Sequence, residues 1–185
     1  MLFIVRHGRT EFNANGKLLG RSDPDLDEVG RQQAYDLAAR LGKVDLVISS
    51  PLRRTMETAS YISESVNPDP RWLELDYGVL EGRSIESIDG DIWKKWRSDV
   101  DWAPEKGESL SALNIRVAEA CEELKSVSSE SDVVVVTHVS PIKAALAWVL
   151  GGGAEIAWRS YVSPGSSMSI DFGNHGPVLR NFNVL

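Results

Sequence analysis

The run Asp132-Val133-Val134-Val135-Val136-Thr137 constrains this chain more than any other stretch. A strand with one solvated face alternates apolar and polar residues, and four consecutive valines leave no face for water. They predict a central strand, covered on both sides by helices. Shorter apolar runs at 2–5 and 46–49 read as further strands, and segments of helical period at 27–41, 53–64, 109–127 and 141–150 alternate with them. The third of these opens on Gly107-Glu108-Ser109, a capping signal. A late pair of strands, 167–172 and 178–183, flanks Gly173-Asn174-His175-Gly176 and reads as a hairpin at one antiparallel sheet edge. The pattern predicts an α/β fold, a three-layer α/β/α sandwich with a mainly parallel mixed sheet.

The length of 185 residues fits a single domain over 1–185, and 42% hydrophobic residues suffice for its core. No internal repeat, linker or low-complexity tract interrupts it. The lone cysteine, Cys121, excludes an internal disulfide and a cysteine-built metal site. It lies in the helical pattern Val117, Ala118, Cys121, Leu124 and reads as a small buried hydrophobe. One cysteine, no run of membrane-spanning length and no basic leader predict a cytoplasmic protein with no membrane partner. A formal charge of −7 argues against a nucleic-acid partner. It does not argue against a small anion, because a local arginine cluster overrides the global field.

Such a cluster is written at the strand ends. The first strand stops at Arg6-His7-Gly8, and in open α/β sheets ligands bind beyond the carboxyl ends of the strands. A solvated arginine beside a satisfied histidine explains that tripeptide equally well. The second strand runs into Ser50-Pro51-Leu52-Arg53-Arg54, bringing more positive charge to a helix start that itself favours anions. The most apolar strand closes on Thr137-His138-Val139-Ser140-Pro141, so His7 and His138, 131 positions apart, occupy equivalent places. Glu74 lies in Trp72-Leu73-Glu74-Leu75, an apolar setting that favours a protonated carboxyl and suits a general acid. Two histidines, two arginines and a half-buried carboxylate are hard to read as surface decoration.

With these residues the chain resembles the histidine phosphatase superfamily, also called phosphoglycerate-mutase-like. The family's Arg-His-Gly-x-Thr-x-x-Asn opening is matched at Arg6, His7, Gly8, Thr10 and Asn13. Its following loop resembles Gly20-Arg21-Ser22-Asp23, with Leu26 and the helix start Gly30-Arg31-Gln32-Gln33-Ala34 downstream. Its Ser-x-Leu-x-Arg-x-x-x-Thr-Ala segment is matched at Ser50, Leu52, Arg54, Thr58 and Ala59, which selects Arg54 over Arg53. Its acidic residue, four before a glycine, maps onto Glu74 before Gly78 and is preferred to Glu81. The second histidine maps onto His138, followed by Val139 where many members carry glycine.

The resemblance implies a phosphomonoester hydrolase acting on a small phosphorylated substrate. His7 is the implied nucleophile, Glu74 the general acid and base, and Arg6, Arg54 and His138 the donors to the phosphoryl oxygens. It further implies substrate binding by Asn13, by Gly20, Arg21 and Ser22, and by the backbone at Val139. No cofactor and no metal is expected. A three-histidine zinc site is the metal alternative, and it would require His175, which the hairpin reading places in an exposed turn. Mutases of the family resemble longer chains, and only 64 positions separate Glu74 from His138, with the sequence stopping soon after its last strand. A phosphatase is therefore expected over a mutase-type phosphotransferase, and either over a catalytically dead phospho-ligand module, since His7 and Glu74 are both kept. Lys17, Arg21, Arg83 and Lys143 are readable as leaving-group contacts or as solvated surface. The segment 84–108, with Trp93, Trp96 and Trp102, reads as a short helix packed by its tryptophans or as a flap over the site.

Overall fold

A computed structural model describes residues 1–174 and 176–185. Its sheet has six strands in the order β3-β2-β4-β1-β5-β6: β1 Leu2–Arg6, β2 Leu46–Ser49, β3 Asn67–Pro68, β4 Val133–Thr137, β5 Ser167–Gly173 and β6 Gly176–Val184. The valine strand β4 lies inside, paired in parallel with β1 and β2, and β2 pairs in parallel with β3. β5 runs antiparallel to β1 and forms the expected hairpin with β6. The mixed, mainly parallel sheet of the sequence reading is the observed one. His175, for which the sequence predicts an exposed turn, lies outside the described residues, and with it the zinc alternative that depended on it.

Alternate residues of the central strands feed two cores. Leu2, Ile4, Val133 and Val135 point to one, with Leu113, Val117 and Cys121 of α5 (Leu110–Glu130) and Ile142 and Ala145 of α6 (Val139–Leu150). Val5, Val134 and Val136 point to the other, with Leu37 of α2 (Glu28–Leu41) and Ala59 of α3 (Arg53–Ser60). Each fully buried aliphatic chain contributes roughly 1.5–3 kcal/mol, so both helical layers are fastened through the same strands. Cys121 is fully buried and its thiol is pushed up by desolvation, as a structural cysteine should be. Among the described residues no helix is long and apolar enough to cross a membrane.

Two helix carboxyl ends differ from expectation, and α6 begins two residues early, at Val139. α3 stops at Ser60, short of residue 64, where the hydroxyls of Thr58 and Ser60 bond back to the carbonyls of Arg54 and Glu57 and Ile62 closes a tighter turn on Ala59. α5 continues to Glu130 because the terminal amine of Met1 caps its last carbonyls, donating to Ser128 O (2.6 Å) and Ser131 O (2.7 Å). The Ser109 cap is present, and Gly151 ends α6 in the left-handed conformation that glycine adopts without strain. The tryptophan segment contains α4 (Gly90–Ser98), whose Trp96 is buried and stacks on Trp93. The packed-helix reading is the one observed. The four-residue α1 (Glu11–Ala14) completes the helices used below.

Candidate active site

The parallel register of β1 and β4 sets Arg6 opposite Thr137, so the next residues of both strands meet beyond the sheet edge. His7 N–H donates to Thr137 O (3.0 Å), and the rings of His7 and His138 stand edge to face with centroids 5.1 Å apart. Gly8 is required here: a Cβ would strike the backbone of Gly30, where the loop after β1 crosses the start of α2.

Hydrogen bonds set the tautomers of both rings. His7 Nδ1 lies 2.6 Å from Gly8 O, so it carries the proton and leaves Nε2 with a lone pair. Arg54 Nε donates to His7 Nε2 (3.3 Å) and to His138 Nδ1 (3.2 Å). His138 Nε2 therefore donates to Ser50 Oγ at 2.8 Å. Both imidazoles are held neutral, well below the ordinary histidine range, by burial first and by the Arg54 charge second.

Two arginines supply positive charge in a dry setting. Arg6 and Arg54 are 8% and 0% exposed, and desolvation lowers each to about 10, so both remain cationic at neutral pH. Arg6 Nη1 donates to Val162 O (2.6 Å), while its buried Nε has no acceptor among the described residues. Arg54 is fixed at three points, since Nη1 donates to Ser22 O (2.6 Å) and Nη2 to Gly20 O (2.7 Å).

Gly20, Arg21 and Ser22 thus stand behind Arg54, and they do not line the cavity above His7. Their N–H groups are already used: Gly20 and Ser22 donate to Glu81 Oε1 (2.9 and 3.1 Å) and Arg21 to Glu81 Oε2 (3.3 Å). The Arg21 side chain turns to Asp76 and Glu108. Glu81, set aside in the sequence reading as the lesser candidate acid, is the clamp that turns this loop's carbonyls toward Arg54. Its only sequence signal was the Glu81-Gly82 pair. Ser50, which orients His138, was quoted in a motif but given no role.

Glu74 is 3% exposed. Its Oε1 accepts from Leu75 N (2.7 Å) and Ser140 N (3.1 Å), so the first turn of α6 holds the carboxylate. Arg116 Nη2 donates to the Glu74 carbonyl (3.3 Å) and is itself paired with Glu108, fixing the backbone beneath. Asn13 caps α1 reciprocally with Thr10, whose N–H and hydroxyl both donate to its Oδ1, so its NH₂ is the part free for a ligand. A cavity of about 310 Å³ joins Arg6, His7, Asn13, Glu74 and Val139, with Lys17 and Tyr161 also on its wall. The arrangement presents one unprotonated ring nitrogen, flanking cations and a carboxylate across an open space, which suits attack on an anionic centre.

Residues 2–185 match the sequence profile of the histidine phosphatase superfamily, branch 1. Phosphoserine phosphatase 1 of Hydrogenobacter thermophilus is 34% identical over 194 residues, covering 99% of this chain and 92% of that protein. A probable phosphoglycerate mutase GpmB of Serratia proteamaculans is 38% identical over 160 residues, covering 81% of this chain and 74% of its own. The crystal structure of Entamoeba histolytica phosphoserine phosphatase in complex with 3-phosphoglyceric acid superposes with a TM-score of 0.92 at 30% identity, covering 100% of this chain and 96% of that one. The paired histidines at two parallel strand ends are thus set in a shared framework, and the chain belongs to the histidine phosphatase superfamily, branch 1.

Proposed function

We propose that this chain is a phosphomonoester hydrolase that works through a phosphohistidine on His7, over a single domain spanning 1–185. The observation that carries the reading is the His7 tautomer: Nδ1–H is spent on Gly8 O, and Nε2 offers its lone pair beside two buried guanidinium groups. Nε2 attacks phosphorus in line, the N–P bond forms, and the bond to the alcohol oxygen breaks. Glu74, protonated at that moment, gives its proton to the departing oxygen. Water then attacks the phosphohistidine, Glu74 takes a proton from it, the N–P bond breaks and inorganic phosphate leaves. Arg6, Arg54 and Asn13 donate to the non-bridging oxygens, so the fixed cations neutralise the transferring group. Neutral His138, expected from the sequence as a further donor, has its one N–H on Ser50 Oγ and acts by holding Arg54 Nε. The Entamoeba relative's complex with 3-phosphoglyceric acid supports a small phosphorylated substrate, and the formal net charge of −7 supports no nucleic-acid partner.

The test is hydrolysis of p-nitrophenyl phosphate, with rapid quenching after a ³²P-labelled monoester. Wild type should release phosphate in EDTA and show an acid-labile, base-stable label, and His7→Ala should lose both. Hydrolysis that stops in EDTA and returns with Zn²⁺ overturns the reading. The likeness to GpmB favours a mutase as the second reading. Incubation with 3-phosphoglycerate and 2,3-bisphosphoglycerate separates the two: a hydrolase releases phosphate or does nothing, whereas a mutase interconverts 2- and 3-phosphoglycerate faster than it releases phosphate.

A further inference from the structure

Beside the His7 cavity lies a second space of about 150 Å³, and the mechanism does not use it. Leu18, Tyr77 and Val139 line both spaces, so the two share a wall one side chain thick. That wall is on the side of Glu74. Ser140, whose N–H holds the Glu74 carboxylate, lines the second space, and its hydroxyl meets Tyr77 Oη at 3.3 Å. A group departing toward its proton donor therefore departs toward this pocket.

The pocket's chemistry is distinct from that of the phosphate end. Trp93, Trp96 and Trp158 form its aromatic side, with Trp93 stacked on Trp96 (5.7 Å, 14°) and Trp158 edge-on to both at 6.2 Å. Arg97 sits over the Trp158 ring (5.5 Å) and braces it. Two of these tryptophans come from α4 and the third from the turn at Ala154–Trp158, after α6. The polar points are Asn114 and Lys143. Among the described residues Lys143 Nζ donates once, to Ala157 O at 2.7 Å, and an ammonium has two further donors. Apolar, aromatic-walled space with a few convergent polar groups is the usual make-up of a small-molecule subsite. A dry cavity of about 150 Å³ is the size that holds one benzene ring.

We propose that this pocket receives the alcohol end of the substrate, and that the preferred alcohol carries an apolar ring bearing a carboxylate or similar acceptor for Lys143. The proposal rests on the hydrolase reading above and adds the class of ester. Burial of the charge lowers the Lys143 pKa, and an anionic partner would restore it. The sequence allows Lys143 either a ligand contact or a solvated surface, and the structure half-buries it in this wall.

The test compares propyl, 3-phenylpropyl and 3-(4-carboxyphenyl)propyl phosphate. Their alcohols have nearly equal acidity, so Glu74 faces the same task in each and the ratios report the pocket alone. The phenyl ester should exceed propyl in kcat/KM by roughly ten- to a hundredfold, the gain of burying one ring. The carboxylated ester should exceed the phenyl ester, and Lys143→Met should remove that second gain. Ala157→Leu, which fills the pocket, should collapse the phenyl-to-propyl ratio; a variant that merely folds less well lowers both rates and leaves the ratio. Equal rates for propyl and phenylpropyl esters, a preference that survives Ala157→Leu, or a carboxylate gain that survives Lys143→Met overturns the proposal while the hydrolase reading stands. Failure to hydrolyse any of these esters or p-nitrophenyl phosphate overturns both.

Discussion

The Nε–H of Arg54 lies 3.3 Å from Nε2 of His7, on the very lone pair proposed to attack phosphorus. The same N–H reaches His138 Nδ1, so one donor is shared between two rings. A phosphoryl group bonded to Nε2 removes that acceptor from Arg54, and the guanidinium can turn its charge on the new oxygens without moving. Its two terminal nitrogens stay pinned to Gly20 O and Ser22 O throughout.

Arg54→Lys tests whether the fork or merely the charge matters. An ammonium cannot hold two loop carbonyls and two imidazoles at once. The expected loss in kcat/KM on p-nitrophenyl phosphate is about 10²–10³-fold, the scale of one preorganised donor. A variant within a few-fold of wild type would reduce Arg54 to a point charge.

Glu81 is expected to act through Arg54 alone. Its carboxylate gathers three loop N–H groups and its charge supports the guanidinium in a setting that depresses it. Releasing that loop by Glu81→Ala should cost about 10²-fold in turnover, as displaced catalytic groups do. In the background of Arg54→Ala the same change should cost almost nothing, because contacting residues in one network are not additive. Full additivity in this cycle would assign Glu81 a separate job.

Acid should destabilise this protein through its two site histidines. Folded, both are held well below their ordinary value of 6.5; unfolded, they return to it. As pH drops below 6.5 the unfolded chain binds protons that the folded chain refuses, and stability falls by up to about 1.4 kcal/mol per pH unit for each ring. Above that range the contribution is flat. Urea midpoints between pH 5 and 7 should show the slope, and His138→Asn should remove about half of the histidine share. An unchanged slope in that variant would mean that the folded rings titrate normally. By the same argument the acid limb of kcat/KM should lie well below 6.5.

The work assigned to Glu74 depends on the leaving group. Glu74→Gln keeps the size and part of the hydrogen bonding to Ser140 and removes the proton. Hydrolysis of an alkyl phosphate should drop by about 10²–10⁴-fold, and that of p-nitrophenyl phosphate far less, since nitrophenolate leaves unaided. Equal losses on both would move the proton donor elsewhere. Glu81 is not placed for that duty, because its carboxylate faces the amides of residues 20–22 and does not line the cavity above His7.

What could be read from the sequence was whatever depends on neighbours in the chain. Strand ends at Arg6 and Thr137 follow from apolar runs, and the cap at Ser109 follows from one residue and its spacing. The end of α3 escaped because serine and threonine hydroxyls compete with the helix only once the turn is built. The roles of Glu81 and Ser50 escaped for a different reason. Glu81 acts 61 positions from Gly20, and Ser50 acts 88 positions from His138, so neither partnership leaves a local pattern. The sequence places Gly20, Arg21 and Ser22 against the ligand, whereas the observed contacts of Gly20 and Ser22 are to Arg54 and Glu81 and those of Arg21 are to Glu81, Asp76 and Glu108.

The register of β1 against β4 also governs refolding. His7 and His138 are neighbours only because Leu2 aligns with Val133 along the first and fourth strands, and the side-chain period of two makes any one-residue slip turn a whole strand inside out. The reaction centre is therefore a seam closed by the opening and the closing thirds of the chain. No folding intermediate that lacks this seam can hold the nucleophile beside its partner, however much helix it has gained. Recovery of turnover after dilution from denaturant then clocks the closing of this long loop between β1 and β4, a slow class of event, and lags the return of helical signal.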